Sequence, residues 1–330
     1  MNIDLHSHFF PLEAFRSAVQ HRDKAPQIIL ENGRYAVVSG GGKRGNLSAG
    51  AYDPEARIQE LDSMSIDLQA ISPSPILLFY RDQADAAAYF CRLQNEAIQQ
   101  VVDAHPDRFV GFGSVPLQSP REAMVIAEEA RRLGLKGLEI GTSVEGKPLD
   151  DAEFEPFFEA AQRLNLLLFV HPIEGGAEGT DPLTGMLGNV LEFPYRTTMM
   201  IERMILKGVF ERYPNLRLCL SHGGGLLPYN IWRLDHAYHQ RSEFRKNISR
   251  KPSQYLKQLY FDSIVHSVDT LQYLVRTVGP ERVVIGTDYP MAMGDFEAVA
   301  KVRALGSVSE EERALILGKN AMRILKIQPC

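Results

Sequence analysis

Cysteine is scarce in this chain. Its 330 residues include three, Cys91, Cys219 and Cys330, at no framework spacing. That excludes a disulfide-stapled scaffold and a cysteine-rich metal site, and it fits a reducing cytoplasm. Long apolar runs are also missing. Although 45% of the chain is hydrophobic, nothing approaches the ~18 consecutive apolar residues of a membrane span. No charged-then-apolar signal peptide is visible at the N-terminus. There is no basic block, and the formal net charge is -5. Neither nucleic acid nor a membrane surface is therefore expected as a partner. Phosphate-binding signatures are absent as well. No G-x-G-x-x-G follows the first apolar run, and Gly40-Gly41-Gly42 lacks the strand-to-helix setting of a G-x-x-x-x-G-K-[ST] loop. The stretch Gly40 to Gly50 reads as a flexible loop.

What is present is alternation of short apolar runs with helical segments. The runs lie at Ile3–Leu5, Leu68–Ser72, Phe109–Val115, Gly137–Ile140, Leu166–Val170, Leu216–Leu220, Leu259–Asp262 and Val283–Ile285. They are apolar almost throughout, as strands of a parallel sheet covered on both faces must be. Helices are expected between them, at Arg57–Met64 behind the Asp53-Pro54 cap, at Asp82–Ala104, Pro120–Leu133, Asp151–Leu164, Thr197–Phe210 and Val268–Val278, from Leu226 onward, and from Ser309 to Ile327. Eight such repeats point to an α/β fold, a single-domain (β/α)8 barrel of the TIM type spanning residues 1–330. An open doubly wound sheet is the second choice. Residues 12–52 read as an excursion inserted after strand one. It carries a β-hairpin formed by Ile28-Ile29-Leu30 and Tyr35-Ala36-Val37-Val38 around the Asn32-Gly33 turn.

In such a barrel chemistry sits where the strands end. Strand one runs into His6-Ser7-His8, whose two imidazoles share one face of an extended chain. The pair reads either as half of a metal site or as two surface histidines near a terminus. Strand five ends in His171-Pro172, strand six in Ser221-His222-Gly223-Gly224-Gly225, and strand eight in Gly286-Thr287-Asp288-Tyr289-Pro290. Each has a bland alternative as a turn or capping residue. Together they are less easily dismissed, because four of the nine histidines fall at strand ends. His21 and His105 read as loop residues, and His236 and His239 as helix-surface or interface residues. His266 remains open as a support or substrate contact.

The order of these motifs, with Tyr52-Asp53-Pro54-Glu55-Ala56-Arg57-Ile58 and Gly208-Val209-Phe210-Glu211-Arg212, resembles the amidohydrolase superfamily and within it the decarboxylase branch. The resemblance covers nearly the whole chain. It implies that His6, His8, His171 and Asp288 ligate one divalent ion per chain, zinc first and manganese second. It implies that His222 is not a ligand but the acid/base that exchanges a proton with water on the ion, so that His222 and Asp288 carry the catalysis. Three neutral imidazoles and a carboxylate leave one position open, in agreement with that reading. Lys136 precedes strand four instead of ending it, so a second, lysine-bridged ion is not expected. Glu139 is left open. Arg233, beside Trp232, matches an arginine that binds the substrate carboxylate from the neighbouring subunit, which implies a homodimer.

The sequence departs from the pattern at three places. The family's other carboxylate-binding arginine aligns near Gly45, one position from Arg44. Met291 stands where an aromatic residue is usual. The stretch Ile173–Gly179, with Glu174 and Glu178, differs markedly. The function these features imply is metal-dependent, non-oxidative decarboxylation of a small carboxylic acid, a carboxylated muconate semialdehyde or a related aromatic or enol acid. The alternative is a hydrolase or hydratase of a lactone, amide or unsaturated acid using the same groups. A barrel that has lost catalysis and serves as a scaffold is disfavoured, because none of the five positions is missing.

Overall fold

The computed structural model of the chain describes residues 1–12, 14, 27–39, 42–173 and 186–328. The eight apolar runs form strands β1 (Ile3–Asp4), β2 (Leu68–Pro73), β3 (Phe109–Gly113), β4 (Gly137–Ile140), β5 (Leu167–Val170), β6 (Arg217–Leu220), β7 (Leu259–Asp262) and β8 (Val283–Val284). Each pairs in parallel with the next in sequence. The sheet closes on itself: Asp4 bridges to Ile285, and the Leu5 N–H donates to the Ile285 carbonyl at 2.9 Å. The result is the (β/α)8 barrel.

Side-chain alternation along each strand divides the core in two. In β5, Leu167 and Phe169 join Phe112, Leu5 and Cys219 inside the barrel, where the C-terminal helix adds Ile324 and Leu325. Leu166, Leu168 and Val170 face outward into the layer of helices. Those helices are α1 (Pro54–Ser63), α2 (Ala84–Ala104), α3 (Pro120–Leu133), α4 (Glu155–Leu164), α5 (Phe193–Leu206), α6 (Leu227–Gln240), α7 (Val268–Val278), α8 (Ala298–Arg303), α9 (Glu310–Ala314) and α10 (Asn320–Leu325). The Asp53-Pro54 signal holds: the Asp53 carboxylate accepts from the N–H groups of Glu55 and Ala56, with proline in the first turn.

Three local expectations change. Thr197–Phe210 is not one helix, because the chain breaks at Gly208, whose φ is 71°. Any side chain there would collide with the Asn247 carbonyl. α5 stops at Leu206 and a separate turn forms at Val209–Arg212. The hairpin over Gln27–Glu31 and Arg34–Ser39 turns at Asn32-Gly33 as read. However, Gly42–Asn46, expected as loop, is a third antiparallel strand on its edge. A free strand edge offers backbone partners that outweigh the poor strand propensity of glycine. Finally, the terminal helical run is divided into α9, a π-helical stretch at Leu315–Lys319, and α10.

Candidate active site

The strand alternation dictates much of the site. With Leu167 and Phe169 inside, His171 continues the inward series from β5. In β4, Leu138 and Ile140 face the helices, so Glu139 points inward. Asp4 fixes the segment after β1. Its carboxylate accepts from Gln69 Nε2 and Thr287 Oγ1, each at 2.6 Å, and from the His6 N–H at 3.0 Å. Through these contacts it ties the two-histidine segment to β2 and to the loop after β8.

His6, His8, His171 and Asp288 converge at the mouth of the barrel. All four are buried, and their ligand atoms lie within 4.8 Å of one another. His6 Nε2 is 3.3 Å from His8 Nε2. Asp288 Oδ1 is 3.3 Å from the first and 3.1 Å from the second. The opposite ring nitrogens are tied back. His6 Nδ1 donates to Asp262 Oδ2 at 2.6 Å, and His171 Nδ1 donates to the Pro172 carbonyl at 2.7 Å. His8 Nδ1 lies 3.4 Å from Glu139 Oε2, whose other neighbour is the Ser72 hydroxyl. With each Nδ1 held by an acceptor, the Nε2 lone pairs turn toward a common point. His171 Nε2 and Asp288 Oδ1 are buried there with no hydrogen-bond partner among the described residues. Acceptors facing acceptors in a buried space need a cation, and three imidazoles with one carboxylate are a donor set suited to a divalent ion.

Electrostatics point the same way. Burial works against charge on His6, but Asp288 and then Asp262 overcome it and hold its pKa up at about 10. His8 is raised by Glu139 and Asp288 in spite of its burial. Asp288 is held well below the usual carboxylate range, because His6, His222 and His8 outweigh its desolvation. His171 is pushed down by burial and by the three neighbouring imidazoles. In metal-free protein His6 therefore holds a proton that an ion must displace, and the upward shift of His8 acts in the same direction. Metal affinity is expected to rise with pH up to about 10, with proton release on binding. The stability of the chelated form follows the same sign. The His6 contribution is full below 6.5 and is lost as pH rises through about 10, because the folded pKa lies above the unfolded one. Chelator competition at several pH values measures the first effect, and an affinity flat between about pH 7 and 9 would contradict it.

His222 stands outside the four-group cluster. Its Nε2 is 3.8 Å from Asp288 Oδ2, and its side chain is 18% exposed. The backbone there is left-handed, with φ 54°, and so is that of Asp288 at 55°. A cavity of about 490 Å³ opens above these groups. Its floor is His8, His171, His222 and Asp288, and its walls are largely apolar. Val37 and Leu47 come from the insertion, Phe193 from α5, Ile76 from the loop after β2, and Met291 and Met293 from the loop after β8.

Other candidates fall elsewhere. Arg233 is exposed on α6 and does not line the cavity of its own chain. His266 is exposed, as are His236 and His239. Glu139 stands behind His8 and not in the cavity. The Arg44 side chain, Glu174 and His21 lie outside the described residues. The sequence reading passed over two buried supports. Asp262 was legible in principle: β7 places Leu259 and Phe261 outward, so a carboxylate at 262 must point in. Arg57 had no such signal. It is fully buried, donates from Nη2 to the His8 carbonyl at 2.6 Å, and lies 4.6 Å from the centre of the Tyr289 ring.

Fold and site together define a parallel barrel that carries a three-histidine, one-carboxylate cation site at the C-terminal ends of its strands. The chain belongs to the amidohydrolase family, whose model matches residues 3–327. It lies in the decarboxylase branch and is a carboxy-lyase of that superfamily. A 2-amino-3-carboxymuconate-6-semialdehyde decarboxylase from Dictyostelium discoideum is 34% identical over 291 residues, 86% of this chain and 79% of that protein. A gamma-resorcylate decarboxylase from a Polaromonas species is 26% identical over 290 residues, 83% of this chain and 87% of that one. The crystal structure of 5-carboxyvanillate decarboxylase from Sphingomonas paucimobilis superposes with a TM-score of 0.84 at 26% identity, covering 99% of both chains. Among the described residues no helix is long and apolar enough to cross a membrane.

Proposed function

We propose that the chain is a divalent-metal-dependent, non-oxidative decarboxylase of an aromatic or enol acid, with a carboxylated muconate semialdehyde among the substrates to be tested. One observation carries this reading: His171 Nε2 and Asp288 Oδ1, buried and without a hydrogen-bond partner among the described residues, meet at the floor of a largely apolar cavity beside His222. His6, His8, His171 and Asp288 would hold one ion, zinc or manganese, which supplies Lewis-acid charge for binding and polarising the substrate's oxygen atoms. His222 borders the cavity and delivers a proton to the carbon that bears the carboxylate. The bond to the carboxylate carbon then breaks, its electron pair restores the conjugated system, and carbon dioxide leaves. Proton uptake and carbon dioxide release balance without an oxidant. The apolar walls keep water from the reacting carbon and strengthen the electrostatics of the floor. A screen of carboxylated aromatic and muconate-like acids tests the proposal, with metal at one ion per chain. Release of carbon dioxide supports it. Uptake of water without carbon dioxide would instead favour the hydrolase or hydratase reading.

We also propose that the chain works as a homodimer. Leu187, Val190, Leu191, Tyr195 and Met199 form one exposed stripe ahead of and along α5. Neighbouring α6 adds Tyr229, 78% exposed, and Trp232, 51% exposed. Contiguous apolar surface of this kind marks an interaction site. It is continuous with the cavity, because Met186, Asn189 and Phe193 of the same segment line it. Arg233 lies beside Trp232, and among the described residues the cavity carries no lysine or arginine. A guanidinium from the second copy would supply the bidentate carboxylate contact. Arg233→Ala is expected to lower kcat/KM about 10- to 100-fold, from ~1.5–3 kcal/mol per charge-assisted hydrogen bond. Mixed with a His8→Ala chain, it should regain activity through one intact site per mixed dimer. No recovery from verified mixed dimers would return Arg233 to a surface role. Placement in a reducing cytoplasm is part of the same proposal, and Cys91 and Cys219, both free and buried, are compatible with it.

A further inference from the structure

Asp262 ends β7 and is fully buried. Among the described residues no lysine or arginine pairs with it. Four N–H groups surround it instead. Oδ2 accepts from His6 Nδ1 at 2.6 Å and from the His222 main-chain N–H at 2.9 Å. Oδ1 accepts from the Gly223 N–H at 2.7 Å and the Ile264 N–H at 3.0 Å. A carboxylate offers about four lone-pair sites, so the acceptor capacity is taken up. Neither oxygen can shift without breaking two bonds.

The donors belong to two parts of the site, which Asp288 faces from the cavity side and Asp262 ties together from behind. His6 belongs to the cation cluster, and its bond to Asp262 fixes the tautomer that leaves Nε2 free. His222 and Gly223 form the turn after β6, with φ 54° and 61°. A non-glycine residue takes that left-handed conformation only where the surroundings hold it there. From the geometry we infer that Asp262 is a positioning residue that sets the cation ligand and the acid/base histidine together, through one carboxylate. Its movement would displace both the His6 nitrogen and the His222 ring. The inference rests on the decarboxylase reading only in calling His222 the acid/base.

Asp262→Asn tests it, because the amide has the same shape but only one accepting end. Whichever way it turns, an NH2 group confronts two N–H donors. Two losses are expected in the folded variant. Metal affinity, read by chelator competition, falls about 10- to 100-fold, the usual effect of losing a partner behind a metal ligand. At saturating metal kcat also falls, and in the Asp262→Asn/His222→Ala double variant it falls no further than in His222→Ala alone. A folded Asp262→Asn protein whose metal affinity stays within about twofold of wild type, or whose kcat loss adds fully to that of His222→Ala, overturns the inference. If the variant does not fold, hydrogen exchange on the wild-type holoenzyme decides. The His222 and Gly223 amides should exchange as slowly as those of the β6–β7 ladder, and fast exchange overturns the inference. Affinity and exchange are read without substrate, so a failure of the decarboxylase reading is distinguishable from a failure here.

Discussion

His222→Ala is expected to lower kcat by roughly 10²–10⁴-fold, the range for loss of a general acid/base, and to leave metal stoichiometry unchanged. The separation of the two readouts follows from geometry. Three ring nitrogens and one carboxylate oxygen form the tight cluster, while His222 Nε2 stands 3.8 Å from the far oxygen of Asp288. Among the described residues its buried Nδ1 has no partner of the kind that Asp262 and Pro172 provide for His6 and His171. A ring held by its backbone turn, with Nε2 facing Asp288 from outside the cluster, suits proton exchange better than ligation. Metal analysis alongside single-turnover kinetics makes the distinction. A variant that arrives without its ion would make His222 a ligand and cancel the assignment.

Asp288→Asn is expected to remove both the ion and the activity. Asp288 is the only carboxylate of the cluster, and it is held ionised by His6, His222 and His8 against its own desolvation. Complete four-ligand zinc sites bind with apparent free energies of about 10–16 kcal/mol, so one ligand is worth very roughly 2.5–4 kcal/mol. At 1.4 kcal/mol per tenfold, metal affinity should drop about 10²–10³-fold. The loss is specific to charge, because the amide keeps the size of the side chain and its place on the backbone. Chelator competition and metal content after dialysis measure it. Retention of one tightly bound ion per chain by the folded variant would show that Asp288 is not a ligand.

The barrel was legible in the sequence through strand periodicity, which also put the histidines and Asp288 at strand ends; their grouping as one ligand set came from the resemblance to the amidohydrolase superfamily. The apolar runs give the strands, and the same two-residue repeat that puts Phe169 inside places His171 at the mouth of the barrel. Asp262 was open to the same logic through Phe261 but was read only as the last residue of a short strand. What escaped has no local pattern. Arg57 belongs to a helix whose sequence marks no buried side, and its role depends on the His8 carbonyl, 49 residues away in the chain. The third strand of the insertion depends on an edge that exists only once the hairpin has formed. The break at Gly208 depends on Asn247, which lies beyond β6 and α6 in the chain. The role proposed for Arg233 needs a second molecule, and only the family resemblance, not a pattern within one chain, pointed to it.

The cavity joins two kinds of wall, and they constrain change differently. The cation cluster is backed by Asp4, Glu139 and Asp262, carboxylates on three different strands that hold Thr287, His8 and His6, so alteration there disturbs the chemistry. The sides belong to the insertion, to α5 and to the loops after β2 and β8. The Val37, Leu47, Ile76 and Met291 side chains are apolar and hold no ligand of the cluster in place; the one hydrogen bond from them to it is main-chain, from the Met291 N–H to the Asp288 carbonyl. The reactive centre and the acid it selects can therefore drift independently. A lineage, or a laboratory library confined to those four positions, can exchange one acid for another while inheriting a working decarboxylation centre intact.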